Sequence, residues 1–148
     1  MHEVTNVARS VGMALRATKA SEVIIINGDL VFNKIALTGL DYSTSCTSAN
    51  EGDYMDGEVG CIVDENDNVA NMMYDLDLKW NQIIYLRGRE LNLFKKEVWR
   101  ANHKKYFLFE ILNKVISKGG QIKCVRNNNI KRVDVDNSRD ISRAKEIL

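Results

Sequence analysis

An apolar run that ends abruptly in a turn and a carboxylate constrains the fold of this chain most. Residues 23–26 are Val and Ile only, and Asn27, Gly28 and Asp29 follow them directly. A short, continuous β-branched run is typical of a buried strand in a parallel α/β sheet. Open α/β sheets bind their ligands at the carboxyl ends of the strands, so we expect a metal or phosphate site at Asp29.

A second acidic cluster, Asp134-Val135-Asp136, closes another strand-like run near the C-terminus. Carboxylates at two strand ends, far apart in sequence, predict one divalent-cation site built from both. A simpler interpretation stays open for each group. Asp29 could be an ordinary turn residue or helix cap. The C-terminal pair could cap the last helix and interact favourably with its dipole.

Length and charge narrow the class of protein. A chain of 148 residues fits one domain, here residues 1–148, and can bury a core. A net charge of +1 provides no overall field to attract nucleic acid or an anionic membrane. No apolar run approaches the roughly 18 residues that a membrane span needs. We therefore expect neither a nucleic acid nor a membrane as partner.

The cysteines argue against a disulfide-bonded protein, and the histidines argue against a zinc site. Cys46, Cys61 and Cys124 are odd in number and widely spaced, which predicts reduced thiols and a cytoplasmic protein. His2 and His103 have no Cys or acidic residue at the spacing of a zinc site, so zinc is not expected.

The order of elements indicates an α/β fold. Strand-like and helix-like segments alternate along the chain, and residues 64–68 form a polar turn between two strand-like runs, which predicts a hairpin. A final helix is predicted from Asn137 onward, with Asn137 or Ser138 as its cap and Asp140 in its first turn. We predict a mixed, mainly parallel sheet flanked by helices.

Several passages, in this order and spacing, resemble one known family. They are residues 6–14, 25–29, 58–75, 109–113 and 133–140. Together they resemble the C-terminal part of the sugar-phosphate nucleotidyltransferases, and most of all the small phosphocholine and sugar-1-phosphate enzymes. The resemblance implies a Rossmann-like nucleotide-diphospho-sugar transferase fold.

The resemblance also implies a reaction and a set of site residues. In that family the phosphate of an acceptor attacks the α-phosphorus of a nucleoside triphosphate and releases pyrophosphate. The cofactor would be Mg²⁺, for which one or two carboxylates plus phosphate oxygens suffice. Asp29 and Asp136 would be its protein ligands. The implied substrate-binding residues are Asn27, Gly28, Asp134, in a supporting position behind the ligands, and Glu110, near the acceptor pocket.

One departure from the family pattern changes the expectation for this chain. The family has an N-terminal Gly-rich loop with an Arg and a Lys that cradles the triphosphate, and no such loop occurs here. We therefore expect the chain to lack the N-terminal nucleotide-binding unit, about 60 residues or more. The sheet edge left by that loss would invite pairing with a partner chain or with a second copy.

The function implied is nucleotidyl transfer from a nucleoside triphosphate to a sugar phosphate or a phosphocholine-like acceptor, incomplete or inactive in this chain alone. Two alternatives stay open. One is a non-catalytic assembly or regulatory module that keeps this half of the fold. The other is a glycosyltransferase of related fold, which also places an Asp at a strand end to hold a metal-bound nucleotide sugar.

Overall fold

The structure is a computed structural model, and it describes residues 7–52, 57–100 and 105–148. Residues 1–6 and His103, which include part of the first resembling passage and both histidines, lie outside these ranges. The elements are α1 (Val7–Ala17), β1 (Glu22–Ile26), β2 (Leu30–Phe32), α2 (Ile35–Thr38), β3 (Cys46–Glu51), β4 (Val59–Val63), β5 (Val69–Tyr74), β6 (Leu78–Arg87), α3 (Gly88–Val98), α4 (Leu108–Ser117), β7 (Lys123–Arg126), β8 (Arg132–Asp134) and α5 (Ser138–Ile147).

The main sheet has six strands and is mixed, which confirms the α/β class and corrects the predicted strand direction. Its order is β5-β4-β6-β3-β7, and β1 pairs with the second half of β6. Only the β3–β7 pair is parallel; the pairs β1–β6, β3–β6, β4–β5 and β4–β6 are antiparallel. The prediction of a mainly parallel sheet was wrong because tight connections such as the β4–β5 turn can join only antiparallel neighbours.

The apolar run at residues 23–26 forms β1, but it is not buried on both sides. Val23 and Ile25 pack against the main core, whereas Ile24 and Ile26 are 41% and 37% exposed. Within the described residues, β1 is paired with β6 alone. The apolar run therefore predicted the strand correctly and its neighbours incorrectly.

Two apolar clusters pack on opposite faces of the main sheet. The larger one contains Ile84 and Leu86 of β6 together with Phe94 of α3 and Ile111 of α4. The smaller one includes Ile83 and Tyr85 of β6, the residues that alternate with the first pair, together with residues around α2. Because side chains alternate along a strand, β6 contributes to both clusters and is the central strand of the fold.

A small second sheet positions the candidate site. β2 and β8 pair antiparallel, with Leu30 opposite Asp134, and α5 follows β8. The side chain of Asn137 accepts hydrogen bonds from the backbone N–H groups of Arg139 and Asp140, so the predicted cap of the last helix is confirmed. None of the helices in the described ranges is long and apolar enough to cross a membrane. The three cysteines are buried and free.

An ion pair ties the segment before β3 to β7 and predicts a response to acid. The Lys123 ammonium lies 2.8 Å from Asp41 Oδ2, and the Ser43 backbone and hydroxyl groups both donate to Asp41 Oδ1. The hydrogen bond from Lys123, followed by those from Ser43, holds the pKa of Asp41 well below its usual range. Ionised Asp41 therefore stabilises the fold above its unfolded pKa of about 4.

That contribution is expected to decline as the pH falls below about 4 toward the folded pKa. In thermal unfolding from about pH 5 down to about pH 2, Asp41→Asn should flatten the acid decline of Tm relative to the unmodified chain. Asp77→Asn, at an exposed carboxylate between β5 and β6, is the control. It should flatten the acid decline of Tm less than Asp41→Asn does. Parallel acid profiles for the Asp41 variant and the unmodified chain would contradict this role.

Candidate cation and substrate site

The turn after β1 lies against the end of β8. The Leu30 N–H donates to the Asn27 carbonyl at 3.2 Å, which closes a four-residue turn containing Gly28 and Asp29. The Val135 N–H then donates to the Asp29 carbonyl at 2.9 Å and extends the β2–β8 ladder. The two acidic segments identified in the sequence are thus adjacent in space.

The carboxylates of Asp29 and Asp136 are both available to a ligand. Both residues are exposed, and neither carboxylate has a hydrogen bond or ion pair with any described residue. The capping bonds at the start of α5 are made by Asn137 and Asp140, with the Asp136 N–H donating to Asp140 Oδ2. The alternative role of Asp136 as the helix cap is therefore filled by its neighbours.

These residues fit Mg²⁺ and do not fit zinc. No group of three or more His, Cys, Asp or Glu residues with metal-site geometry occurs in the part of the chain that the structure describes. A structural zinc site usually needs four protein ligands of the His and Cys type. Mg²⁺ retains waters and binds through one or two carboxylates together with substrate phosphates, which is the donor set that Asp29 and Asp136 offer.

Gln82 links the two sides of the site, and sequence reasoning missed it. Its amide nitrogen donates to both oxygens of Asp134 at 3.0 Å, and its amide oxygen accepts from Asn27 Nδ2 at 2.7 Å. Its φ of 62° lies in the left-handed region, which costs a non-glycine residue about 1–3 kcal/mol. The only signal in the sequence was the polar pair Asn81-Gln82 before an apolar strand run.

Next to these groups is a cavity of about 220 Å³ with one polar wall and one aromatic wall. The polar wall includes Asn27, Gln82 and Asp134. The aromatic wall is formed by Tyr74, Trp80, Phe107 and Phe109. Tyr74 and Phe109 contact edge to face at 5.3 Å between ring centroids, and Phe107 stacks on Phe109 at 6.3 Å.

A guanidinium group stabilises the acidic side of the cavity. Arg132, whose side chain is only 11% exposed, lies between Asp134 and Glu58, with nitrogen–oxygen distances of 3.6 and 3.9 Å. Its Nη2 also donates to the Trp80 carbonyl at 2.9 Å. Glu58 additionally pairs with Lys79 at 3.6 Å, yet its buried Oε2 accepts no hydrogen bond within the described residues. The cavity therefore combines charged groups with an aromatic surface.

The other predicted substrate residues occupy distinct positions. Gly28 is exposed, and a Cβ built there would meet no atom within 4 Å, so its surface is open to a ligand. Glu110 lies in the first turn of α4, close in sequence to the cavity residues 107–109, and its carboxylate accepts from the Phe107 N–H at 3.1 Å. Substrate roles for both residues stay predictions.

No family model matches the sequence, and no curated protein sequence matches it. Solved structures do match the fold. The inositol-1-phosphate CTP transferase from T. maritima superposes with a TM-score of 0.75 at 13% identity, covering 97% of this chain and 62% of that one. A putative glucose-1-phosphate thymidylyltransferase from Bacillus anthracis gives a TM-score of 0.74 at 12% identity, covering 98% of this chain and 62% of that one. This chain has the sugar-phosphate nucleotidyltransferase fold.

The nucleotidyltransferase fold was the fold implied by the resembling passages, and it is confirmed. The CTP:phosphocholine cytidylyltransferase from Streptococcus pneumoniae also matches, with a TM-score of 0.67 at 14% identity. It belongs to the phosphocholine enzymes that the sequence passages resemble. It is covered over 64% of its length, and this chain over 97%. The chain thus spans less than two thirds of the length of these three structures.

Proposed function

We propose that this chain forms the cation- and acceptor-binding part of a Mg²⁺-dependent nucleotidyltransferase. The observation that supports the proposal is the adjacency of the β1–β2 turn and the end of β8, next to a cavity that Asn27 and Asp134 line. Asp29 and Asp136, in the same two segments, are exposed. The acceptor would be a sugar phosphate or a phosphorylated alcohol. The fold of the matching structures supports the reaction class.

The reaction needs alignment and charge neutralisation more than covalent chemistry from the protein. An oxygen of the acceptor phosphate attacks the α-phosphorus, the bond from that phosphorus to the β-bridging oxygen breaks, and pyrophosphate leaves with the bonding electrons. Mg²⁺, when bound, neutralises phosphate charge during this exchange. Asp29 and Asp136 would hold the cation, and the Gln82 bridge would fix the Asn27 amide and the Asp134 carboxylate next to the acceptor.

The size of the cavity favours the acceptor as its ligand. At about 220 Å³ it is smaller than the 300–1,000 Å³ of typical ligand pockets, so it suits a small molecule and not a whole nucleoside triphosphate. Tyr74 and Phe109 would pack against the carbon skeleton of the acceptor. Asp134 would accept hydrogen bonds from the hydroxyl groups of a sugar phosphate, or attract the positive charge of a quaternary ammonium group, which has no N–H to donate. The acceptor phosphate would extend toward Asp29.

The experiment that tests this function measures pyrophosphate release by the purified chain. Each of the four nucleoside triphosphates is combined with a panel of sugar 1-phosphates and phosphocholine, in Mg²⁺ and in EDTA. We expect Mg²⁺-dependent release with one pairing once a nucleotide-binding unit is supplied, none in EDTA, and little or none from this chain alone. Release of a nucleoside diphosphate from a nucleotide sugar, with no pyrophosphate from any triphosphate, would instead indicate a glycosyltransferase. If no pairing yields pyrophosphate once that unit is supplied, the proposal is contradicted.

A non-catalytic assembly or regulatory module is the second candidate. It is favoured by the edge position of β1 among the described strands. This candidate predicts that affinity for nucleoside triphosphates, measured by calorimetry, is the same with and without Mg²⁺. The catalytic proposal predicts affinity that increases with Mg²⁺.

A further inference from the structure

The side-chain amide and indole N–H groups that line the cavity donate to other protein groups. Asn27 Nδ2 donates to Gln82 Oε1 at 2.7 Å, and Gln82 Nε2 donates to both oxygens of Asp134 at 3.0 Å. Trp80 Nε1 donates to Thr47 Oγ1 at 2.7 Å, and Thr47 does not line the cavity. A ligand group that must accept hydrogen bonds therefore finds few free donors here.

Negative charge exceeds positive charge among the described side chains that line the cavity. Glu58 and Asp134 are the two carboxylates, and Arg132 is the one cation. The guanidinium is already shared between both carboxylates and the Trp80 carbonyl. Lys79 lies 3.6 Å from Glu58 Oε2, beyond hydrogen-bonding distance, and lines a neighbouring groove instead. The excess negative charge favours a cationic ligand.

The aromatic wall offers ring surface to the same kind of ligand. Tyr74 and Phe107 are 47% and 50% exposed. The ring of Phe109 lies beside both, with its centroid 5.3 Å from that of Tyr74 and 6.3 Å from that of Phe107. The face of an aromatic ring attracts a cation through its quadrupole. Carboxylate oxygens and open aromatic surface thus line one cavity of about 220 Å³.

We propose that the acceptor carries a primary ammonium group in addition to its phosphate, which makes it a phosphorylated amino sugar or amino alcohol. This assignment rests on the proposed function, because it narrows the acceptor of the same site. The ammonium group donates to Asp134 and lies against the aromatic wall, and the phosphate extends toward Asp29.

The chemistry of the cavity favours a primary ammonium group over the two alternatives. A hydroxyl group both donates and accepts, so it needs a donor where the side-chain donors are engaged. A quaternary ammonium group carries the charge but has no N–H for the oxygens of Asp134. A primary ammonium group has three donors and no acceptor, and its hydrogen bonds to a carboxylate are charge-assisted and strong.

Calorimetric titration of the unmodified chain with two matched pairs of phosphates tests this assignment, in Mg²⁺ and without nucleotide. Glucosamine 1-phosphate differs from glucose 1-phosphate by an ammonium group in place of one hydroxyl. Phosphoethanolamine differs from phosphocholine by the absence of the three methyl groups on nitrogen. We expect the first member of each pair to bind more tightly, by at least about tenfold for the sugars and about threefold for the alcohols. The pair that contains the tightest ligand distinguishes an amino sugar from an amino alcohol.

Two variants separate the contributions of the carboxylate and of the aromatic wall. Asp134→Asn keeps the size of the side chain, and it should reduce the preference for glucosamine 1-phosphate over glucose 1-phosphate by about tenfold. Phe107→Leu removes an exposed ring without touching the Arg132 ion pairs, and it should reduce the same preference about threefold. Glu65→Gln, in the exposed β4–β5 turn, is the control and should retain the full preference. Circular dichroism establishes that each variant is folded.

Several results would overturn the ammonium assignment. They are equal affinities within both pairs, tighter binding of phosphocholine than of phosphoethanolamine, no binding of any of the four phosphates, or a full preference retained by folded Asp134→Asn. The titrations contain no nucleoside triphosphate, so they are independent of the pyrophosphate assay. Pyrophosphate release with glucose 1-phosphate, together with equal affinities for the two sugars, would retain the proposed function and overturn the ammonium group alone.

Discussion

Replacing Arg132 with Met is expected to lower the free energy of unfolding by about 2–3 kcal/mol. The guanidinium is almost fully buried and is the positive charge between Glu58 and Asp134. Removing it leaves Asp134 without its ion-pair partner among the described residues and Glu58 with Lys79 alone. The Trp80 carbonyl also loses the hydrogen bond from the guanidinium. Breaking a fully buried pair costs about 3–5 kcal/mol, and the partial exposure of both carboxylates reduces that figure.

Arg126→Met is the matched control for this prediction. Arg126 pairs with Glu51 at 3.6 Å, but the two side chains are 48% and 65% exposed, so the loss should stay below about 1 kcal/mol. Urea unfolding followed by circular dichroism measures both variants. Equal losses would show that Arg132 behaves as a surface cation and that the acidic cavity wall does not need it.

Once a nucleotide-binding unit is supplied, Asp29→Asn and Asp136→Asn are each expected to reduce Mg²⁺-dependent pyrophosphate release by at least about 100-fold, beyond the 10–100-fold typical of residues behind the metal ligands. Each replacement keeps the size of the side chain and removes one anionic ligand. Both residues are exposed, so little change in stability is expected. The loss should therefore be a loss of activity in a folded protein.

Glu65→Gln provides the control for charge. Glu65 is an exposed carboxylate in the β4–β5 turn, so its replacement changes the net charge by the same amount. Its activity should equal that of the unmodified chain. Activity that survives in both Asp variants would exclude the proposed site, and an equal loss in the Glu65 variant would indicate a general charge effect.

Locally encoded features of this fold could be predicted from the sequence. The turn at residues 64–68 joined β4 to β5 as expected, and Asn137 with Asp140 capped the last helix, because both motifs act through bonds between near neighbours. The strand before Asn27 was also predicted correctly. Its antiparallel pairing with β6 was not predicted. An apolar run indicates that a segment forms a strand, but it does not indicate which strands are its neighbours.

Some residues of the candidate site could also be predicted from the sequence, and others could not. The carboxylates at the ends of β1 and β8 could be found because strand ends are recognisable in the sequence. Gln82 and Arg132 could not, because their importance comes from partners far away in sequence: Gln82 bridges Asn27 and Asp134, and Arg132 contacts Glu58. A left-handed backbone at a glutamine within a strand also has no sequence signal, since glycine or asparagine is the residue usually found there.

We propose that the carboxylates at the ends of β1 and β8 hold one divalent cation. Electron paramagnetic resonance of bound Mn²⁺, displaced by Mg²⁺, tests it most directly in the unmodified chain, in Asp29→Asn, in Asp136→Asn and in the double variant. We expect one bound Mn²⁺ per chain, a large loss of affinity in each single variant, and little further loss in the double variant. No Mn²⁺ binding in the unmodified chain, or binding that both single variants retain, would contradict the claim.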